Sequence, residues 1–520
     1  MCTAFTPADS LTGAIEQLLA FAKAKGLLVP EDEIYARNAI LDIVGLDEPA
    51  DAPYEGPLPD TVTPIMQVIL NACAAKGLLE DTHTCRQLFD TKIMGCLMDR
   101  PSQINRRFAQ IQAQQGVKAA TDWFYGINRA SDYIRVDDVA RNIRWFSPSP
   151  YGELEITINL SKPEKDPREV AKLKTMKASG YPKCMLCPEN INYAGRMNFP
   201  ARQTHRTIPL SLNDEAWFFQ YSPYVYYNEH CIVFKGEHVP MHICRDSFVR
   251  LTQFVTQFPH YFLGSNAGLP IVGGSILNHD HFQGGSYTFP MDRAGCEIAL
   301  THPDYPQVEI CIARWPMSVL RLTSADPEAL VNLSTELLFA WEGYSDPSAE
   351  VIARTGDTPH NTFTPIARRT EDGGYRMDLV LRNNRTSDEH PWGIFHPHVP
   401  LHHIKRENIG LIEVMGLFIL PGRLKAEMAQ AGELLCGKID PADPALAEEA
   451  HPLNKHLPWL ADILARRGQA PDADTAWAWL QQEIGVVCTE VLRDAGVFKD
   501  TPEGRQAFVR FAQAAGMRAL

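Results

Sequence analysis

Apolar residues recur at helical spacing in the first part of the chain. One such series ends at Gly26, a residue type that commonly terminates helices, and contains Ile15, Leu18, Leu19 and Ala22. The tetrapeptide at 25–28, Lys-Gly-Leu-Leu, returns at 76–79 after a second apolar helix. The repetition indicates either a duplicated helical hairpin or a chance similarity between amphipathic helices. Either explanation predicts a helical N-terminal region over residues 1–144.

The pattern changes near Trp145, where apolar and polar residues begin to alternate. The alternation at 154–160 has the period of two that a half-buried strand requires. Further strands are predicted at 224–227, 231–234, 271–283, 309–313, 377–381 and 410–420, with helices between them at 245–258 and 327–344. Strands interleaved with helices in this way predict an α+β region with antiparallel sheet over about 145–425.

After Pro421 the helical spacing of apolar residues returns. The helices predicted there are 424–435, 457–467 and 475–495. A chain of 520 residues is too long for one compact core, so we expect two or three domains.

The chain carries a formal net charge of -14. A surface of this sign repels phosphate polymers and anionic lipids, so we expect no nucleic acid and no membrane as partners. The twelve cysteines are scattered and mostly solitary, which predicts reduced thiols in an intracellular protein; examples are Cys73, Cys96, Cys311 and Cys488. The N-terminus lacks a signal-peptide pattern and no apolar run reaches the length of a membrane span, so a cytoplasmic enzyme is expected.

The segment that is most informative about function lies at 273–285 and reads Gly-Gly-Ser-Ile-Leu-Asn-His-Asp-His-Phe-Gln-Gly-Gly. If it is extended, alternate side chains share a face, and His279, His281 and Gln283 point to the same side. Two imidazoles and a carboxamide suit attack on phosphorus and binding of a phosphoryl oxygen, and the glycines let a phosphate approach the backbone. The alternative is a strand whose histidines only satisfy the core.

Cys184 and Cys187 form a Cys-x-x-Cys pair upstream of this motif. The spacing fits half of a tetrahedral zinc site, a redox pair or coincidence. The flanking prolines indicate a loop, whereas a redox pair is expected near a βαβ unit. His238 and His279 offer the two further ligands that zinc needs.

A second group of histidines lies downstream and comprises His360, His396, His398, His402 and His403. Clustered imidazoles with a carboxylate can hold a divalent metal, and the alternative is a set of exposed loop histidines. Basic residues also gather in the middle region despite the acidic total. Their guanidinium and ammonium groups suit phosphate oxygens, and they include Lys162, Lys165, Arg196, Arg202, Arg206, Arg382, Arg385, Lys405 and Arg406.

The His-x-His-x-Gln motif, the upstream Cys-x-x-Cys pair and the downstream His396-x-His398 together resemble the galactose-1-phosphate uridylyltransferase family of the histidine-triad superfamily. Two longer stretches, 154–165 and 221–231, resemble the bacterial members with extra helical terminal regions. The resemblance implies an α+β fold of two histidine-triad-like antiparallel half-barrels. The implied organisation is a helical region at 1–144, a first half with the nucleophile motif at 145–300, a second half at 301–425 and a helical region at 426–520.

The family exchanges uridylyl groups between UDP-glucose and galactose 1-phosphate. The resemblance therefore implies UDP-glucose and a hexose 1-phosphate as partners, with ping-pong kinetics through a uridylyl-histidine. By motif position, His281 is the nucleophile and Gln283 stabilises the nucleotidylated intermediate. We predict substrate contacts from Asn159, Lys162, Lys165, Asn266, Ser275, Lys405 and Arg406. Family members are commonly dimers, which implies a homodimer.

Metal-containing members of the family imply a structural zinc site formed by Cys184, Cys187, His238 and His279. Some members hold a second divalent metal, iron or zinc, and the best matches to its ligands are Glu297, His360, His396 and His398. The sequence departs from the better-studied members at two positions. Asp280 stands between the motif histidines in place of a proline, and Phe418 stands where a glutamate contacts the sugar.

The third motif position separates transfer from hydrolysis. A glutamine does not protonate in the useful range but donates a hydrogen bond to a phosphoryl oxygen, so Gln283 favours transfer between phosphates over acid-assisted hydrolysis. Two alternatives are an adenylyl-transferring enzyme of the dinucleoside-polyphosphate phosphorylase type and a nucleotide-sugar-binding protein without turnover. Labelled UDP-glucose separates them, because only uridylyl transfer leaves an acid-labile uridylyl group on the protein.

Overall fold

The computed structural model describes residues 5–161, 179–274 and 276–520. The chain forms two compact units, one of Met1–Arg141 with Ser161–Val239 and one of Asn142–Leu160 with Pro240–Leu520. The fold is α+β with mainly antiparallel sheet, as predicted. Of the helices in the described ranges, none combines the length and apolarity needed to cross a bilayer. The division at 144, 300 and 425 stays a prediction.

The helices and strands are numbered in chain order. The helices are α1 (Leu11–Ala24), α2 (Glu33–Val44), α3 (Thr63–Ala75), α4 (His83–Gly95), α5 (Pro101–Gln115), α6 (Val117–Ala130), α7 (Val136–Ala140), α8 (Arg245–Gln257), α9 (Pro327–Gly343), α10 (Leu411–Val414), α11 (Leu424–Leu435), α12 (Leu457–Arg467), α13 (Ala473–Ala495) and α14 (Pro502–Ala514). The strands are β1 (Ile143–Ser149), β2 (Gly152–Asn159), β3 (Ile208–Leu212), β4 (Glu215–Tyr221), β5 (Cys231–Lys235), β6 (Phe262–Gly264), β7 (His281–Gly285), β8 (Cys296–Thr301), β9 (Glu309–Ala313), β10 (Val319–Ser324), β11 (Arg354–Thr355), β12 (Thr358–Pro359), β13 (Asn361–Arg369), β14 (Tyr375–Asn383), β15 (Leu417–Pro421) and β16 (Arg518–Ala519).

The repeated Lys-Gly-Leu-Leu tetrapeptide ends two helices of the first unit, α1 and α3. Gly26 and Gly77 adopt left-handed φ angles of 71° and 74°. The residue after each glycine donates its N–H five residues back, Leu27 to Ala22 at 2.9 Å and Leu78 to Cys73 at 3.0 Å. This is a glycine-terminated helix end: the glycine adopts the left-handed conformation that ends the helix, and the N–H of the following leucine bonds back to a carbonyl group of the last turn. The repetition is therefore explained by two copies of one helix-ending motif.

Strands β3, β4 and β5 of the first unit form an antiparallel meander. Asn213 and Asp214 both have left-handed φ angles, 53° and 59°, which makes the tight turn between β3 and β4. Helix α6 packs on this sheet through Phe124, whose ring lies 5.8 Å from that of Phe219. The hydroxyl of Tyr221 donates to the carbonyl oxygen of Thr121 at 3.0 Å, so a buried polar group is satisfied at the same contact.

The second unit contains strands in the order β16-β8-β9-β10-β14-β13-β6-β7, and all of these pairings are antiparallel. Helices α8 and α9 pack against this sheet. The indole N–H of Trp341 in α9 donates to the carbonyl oxygen of Thr362 at 3.1 Å. A smaller sheet has the order β1-β2-β15, with β15 parallel to β2. Helix α13 packs on β1, where Gly485 leaves room for Ser147.

Three predicted strands are wrong or too long. Residues 224–227 form turns because Tyr226 and Tyr227 fold back onto the ring of His230, with ring centroids 5.4 and 4.5 Å away. The strand predicted at 271–283 begins only at His281. The strand predicted at 410–420 is interrupted, because α10 and the left-handed Gly416, with a φ of 93°, come before β15.

The prediction that Cys311 is a solitary, reduced thiol is also wrong. Cys311 in β9 forms a disulfide with Cys296 in β8, and the two Cα atoms are 5.7 Å apart. The partners are separated by 15 residues in sequence, so their proximity depends on strand pairing and cannot be read from spacing. Cys73, Cys96 and Cys488 are free, as predicted.

Candidate active site

Strand β7 presents His281 and Gln283 on one face. It pairs antiparallel with β6, and Gln283 lies opposite Gly264. Side chains two residues apart on a strand point to the same side, so the predicted alternation holds for His281 and Gln283. His279 precedes the strand, so the alternation argument does not extend to it.

The imidazole of His281 is held in one orientation by the backbone. Its Nδ1 lies 2.8 Å from the carbonyl oxygen of His279, and since a carbonyl only accepts, Nδ1 carries the proton. The other ring nitrogen, Nε2, then carries a lone pair. Burial lowers the pKa of His281 to about 4, although the hydrogen bond to His279 acts in the opposite direction. The ring is therefore neutral near pH 7, which is the form that attacks phosphorus.

Gly264, which lies opposite Gln283, leaves room for Leu411 and Ile366, and the sequence did not indicate it. A Cβ at this position would lie 2.9 Å from a methyl group of Leu411 and 3.1 Å from Ile366. Both contacts are too close for an ordinary side chain, so the strand opposite Gln283 needs a glycine. A single glycine at the end of a short strand carries no signal that separates this role from a turn.

Asn266, a predicted substrate contact, is buried at the end of the same strand pair. Its side-chain oxygen accepts a hydrogen bond from the N–H of Leu411 at 2.9 Å. Asn159, another predicted contact, ends strand β2 and is 8% exposed. The predicted contacts Lys162, Lys165 and Ser275 lie outside the described residues.

Lys405 and Arg406 occupy different environments. Lys405 is 4% exposed, and its ammonium group lies 2.9 Å from the carboxylate of Glu413. Arg406 is exposed, and its guanidinium lies 4.5 Å from the ring centre of Trp392, which is the distance of a cation–π contact. The roles of both residues in substrate binding stay predictions.

Two of the arginines that were candidates for phosphate binding instead donate hydrogen bonds to backbone carbonyl groups inside the fold. Arg206 donates to the carbonyl oxygens of Asp99 at 2.7 Å and His205 at 2.8 Å. Arg382 donates to the carbonyl oxygen of Ile409 at 2.9 Å and is 1% exposed. Composition alone did not distinguish these structural guanidinium groups from substrate-binding ones.

Three of the predicted zinc ligands lie together in the first unit. The ligand atoms of Cys184, Cys187 and His238 are all within 4.8 Å of one another. The two sulfur atoms are 3.5 Å apart, and the Cys187 sulfur is 3.1 Å from Nδ1 of His238. Zinc–ligand bonds of about 2.0–2.3 Å in a tetrahedron separate the ligand atoms by roughly 3.3–3.8 Å. The sulfur–sulfur distance falls in this range, and thiol and imidazole donors are compatible with zinc.

The predicted second metal site has no such support. In the portion of the chain that the structure describes, the Cys/His cluster is the group of candidate ligands with metal-like spacing. The carboxylate of Glu297 binds Arg505 at 2.5 Å, and the rings of His360 and His398 hydrogen-bond to other partners. Burial lowers the pKa of His396, and its Nδ1 lies 3.1 Å from the carbonyl oxygen of Pro397. The structure does not bring Glu297, His360, His396 and His398 into one site.

Comparison with protein families gives two matches that together span most of the chain. The model of the N-terminal domain of galactose-1-phosphate uridyl transferase matches residues 26–240. The model of the C-terminal domain of the same enzyme matches residues 254–453. His281 and Gln283 fall within the second match.

Similar proteins have nearly the same length. The chain is 51% identical to galactose-1-phosphate uridylyltransferase of Caldanaerobacter subterraneus subsp. tengcongensis over 97% of this chain and 98% of that protein. It is 48% identical to the protein of the same name from Bacillus subtilis over 98% of both. Among solved structures, yeast Ap4A phosphorylase Apa2 aligns with 64% of this chain and 89% of its own, at 12% identity and a TM-score of 0.31.

Proposed function

The chain belongs to the galactose-1-phosphate uridylyltransferase family, and we propose that it transfers a uridylyl group from UDP-glucose to galactose 1-phosphate through His281. The products are glucose 1-phosphate and UDP-galactose. The observation that carries the proposal is the hydrogen bond between His281 Nδ1 and the His279 carbonyl oxygen, which leaves Nε2 as the nucleophilic atom.

In the first half-reaction, the Nε2 lone pair attacks the α-phosphorus of UDP-glucose. An Nε2–phosphorus bond forms, and the bond from that phosphorus to the oxygen of glucose 1-phosphate breaks. The leaving group departs with the bonding electrons as a phosphate anion, which is a weak base and needs no acid. In the second half-reaction, a phosphate oxygen of galactose 1-phosphate attacks the same phosphorus and the bond to Nε2 breaks.

The surrounding groups stabilise charge that develops during attack. The ring becomes positive as Nε2 bonds to phosphorus, and the His279 carbonyl oxygen faces the Nδ1 proton of that ring. The carboxamide of Gln283, on the same strand face, donates to a phosphoryl oxygen. The amide stays neutral, so it assists transfer without supplying the proton that hydrolysis of a poor leaving group requires.

The test is a single-turnover experiment with uridine-labelled UDP-glucose. The wild-type protein should retain an acid-labile label and release it on addition of galactose 1-phosphate, whereas His281→Gly should retain none. The matched control is Asn278→Gly, which adds the same backbone freedom at an exposed neighbouring position and should behave as wild type. Labelling of His281→Gly at the wild-type rate would contradict the assignment. Labelling by an adenylyl donor instead would indicate adenylyl transfer.

We further propose that Cys184, Cys187, His238 and His279 bind zinc as a structural ion. The bound ion would supply a tetrahedral cross-link between its ligands and no chemistry on the substrate. The spacing of the thiol and imidazole donors supports this proposal. Metal analysis of purified protein should find one zinc per chain, and absence of a stoichiometric metal after purification without chelator would count against it.

The homodimer implied by the family resemblance and the cytoplasmic location expected from the sequence remain part of this proposal. Light scattering during gel filtration measures the first directly. A mass equal to one chain at micromolar concentration would contradict the dimer.

A further inference from the structure

A groove in the C-terminal region has no part in the uridylyl-transfer chemistry proposed above. It lies between α11 and α13, is also lined by Ile143 of β1, and has a volume of about 360 Å³. Small-molecule sites occupy about 300–1,000 Å³, so the groove is large enough for a small ligand. One face of α11 lines it through Lys425, Ala429 and Gly432 at helical spacing, and Cys436 lines it directly after the helix.

The floor of the groove is apolar and aromatic. Met428 and Leu480 are 1% and 0% exposed, and the half-buried Trp477 forms part of the wall. The Trp477 ring meets that of Trp145 edge to face, with centroids 5.7 Å apart, and Trp145 donates its N–H to the Gln481 carbonyl oxygen at 3.3 Å. The aromatic surface is therefore fixed before any ligand arrives, which lowers the entropic cost of binding.

The rim is positive although the whole chain is negative. Lys425 and Lys438 line the groove and are exposed, and Glu433 is its acidic lining residue. Both ammonium groups stay without an ion pair among the described residues, whereas other lysines, such as Lys405 and Lys455, bind carboxylates. An apolar, aromatic floor below two available cations suits a ligand with a ring and an acidic group.

We propose that the α11–α13 groove binds a small aromatic anion, with its ring against Trp477 and its acidic group near Lys425 or Lys438. The volume suits a compound of up to about three rings and is too small for a peptide helix, whose diameter with side chains is about 10–12 Å. The geometry of the groove carries this inference independently of the proposed reaction.

The probe is anilinonaphthalenesulfonate, an aromatic anion whose fluorescence rises in apolar surroundings. The blocking variant is Gly432→Leu, because a Cβ at Gly432 meets only Ala476 at 3.9 Å, so the new side chain fits the helix and fills the groove. The control is Ala426→Leu, which adds the same side chain to an exposed position of α11 that does not line the groove. Ala429→Leu is a second blocking variant at an exposed lining position.

The wild type and Ala426→Leu should bind the probe saturably with the same Kd. Gly432→Leu and Ala429→Leu should raise that Kd at least tenfold while uridylyl exchange, which reports correct folding, is unchanged. The double substitution of Lys425 and Lys438 to Gln should raise the Kd several-fold and remove its salt dependence.

Two results would overturn the proposal. The first is equal probe binding by wild type and both blocking variants, or no saturable binding by the wild type. The second is a chain mass that doubles with concentration in the wild type but not in Gly432→Leu, since the occupant would then be a second copy of this chain.

Discussion

We expect the substitution Glu427→Gln to lower the local stability of α11 and α12 by about 2 kcal/mol at neutral pH. The Glu427 side chain is 8% exposed and accepts hydrogen bonds from Arg423 at 2.6 Å, Lys455 at 2.5 Å and His456 at 3.0 Å. The amide keeps the shape of the carboxyl group but loses its charge. The substitution therefore leaves two cations and a buried imidazole without their anionic partner.

The magnitude follows from the pKa of this carboxyl group. Burial alone would raise the pKa of Glu427, but hydrogen bonds from His456 and Lys455 and the charge of Arg423 outweigh it and lower the pKa from 4.5 to about 2. The difference between these values corresponds to about 3 kcal/mol. Arg423 and Lys455 are 31% and 41% exposed, so solvent screening reduces the expected contribution to about 2 kcal/mol.

The sign of the pH dependence is fixed by the lowered pKa. A carboxyl group that is more acidic in the folded state stabilises it fully above pH 4.5 and loses this effect as the pH falls toward 2. The difference between wild type and Glu427→Gln should therefore fall by roughly half near pH 3. Burial, with the charge of His456, lowers the pKa of His403 to about 3, and the charge of Glu427 acts in the opposite direction, so Glu427→Gln removes this upward influence as well.

Native-state hydrogen exchange of peptides from 424–435 and 454–467 measures the free energy of local opening. The control is Glu433→Gln, an exposed residue on the same helix that forms no ion pair within the described residues, and it should change the opening free energy by less than about 0.5 kcal/mol. Equal effects of the two substitutions, or a difference for Glu427→Gln that is unchanged at pH 3, would refute the reasoning.

Three further outcomes test other parts of the structure. Cys311→Ser should lower the free energy of unfolding by up to about 3 kcal/mol, because it opens a loop closed across 15 residues at Cys296; urea unfolding should show the loss without reductant and no difference with it. Cys187→Ser should remove bound zinc in metal analysis after dialysis, and a full zinc complement would contradict the ligand assignment. Gly485→Ala would place a Cβ 1.8 Å from Ser147 Oγ, so its melting temperature should fall; Ser147→Gly should restore it, and absence of rescue would contradict this contact.

The sequence predicted helices better than strands. The helices at 424–435 and 457–467 and the strand at 309–313 lie at their predicted positions. A helix is specified by spacing within its own residues, so a single sequence contains the needed information. The segment 224–227 has the composition of a strand, but its conformation depends on contacts with His230.

In the candidate site, too, features that depend on local spacing were predicted and features that depend on distant contacts were not. His281 and Gln283 were predicted because two residues of spacing place them on one face of a strand. The contact of Asn266 with Leu411 joins residues 145 positions apart, and nothing in the local sequence indicates it. The pairing of Lys405 with Glu413 spans only eight positions, but its burial depends on the packing of α10 and β15.

The spacing of His279 and His281 has a consequence beyond their side chains. The carbonyl oxygen of His279 accepts a hydrogen bond from Nδ1 of His281, and the imidazole of His279 is a proposed zinc ligand. Because the peptide unit is planar, holding the residue at position 279 restricts the direction of its carbonyl group. A zinc ion bound by His279 would thus also help to select the tautomer of the proposed nucleophile. This coupling needs neither a contact between the cluster and the substrate nor a proline at position 280, where Asp280 lies 3.8 Å from the guanidinium of Arg250.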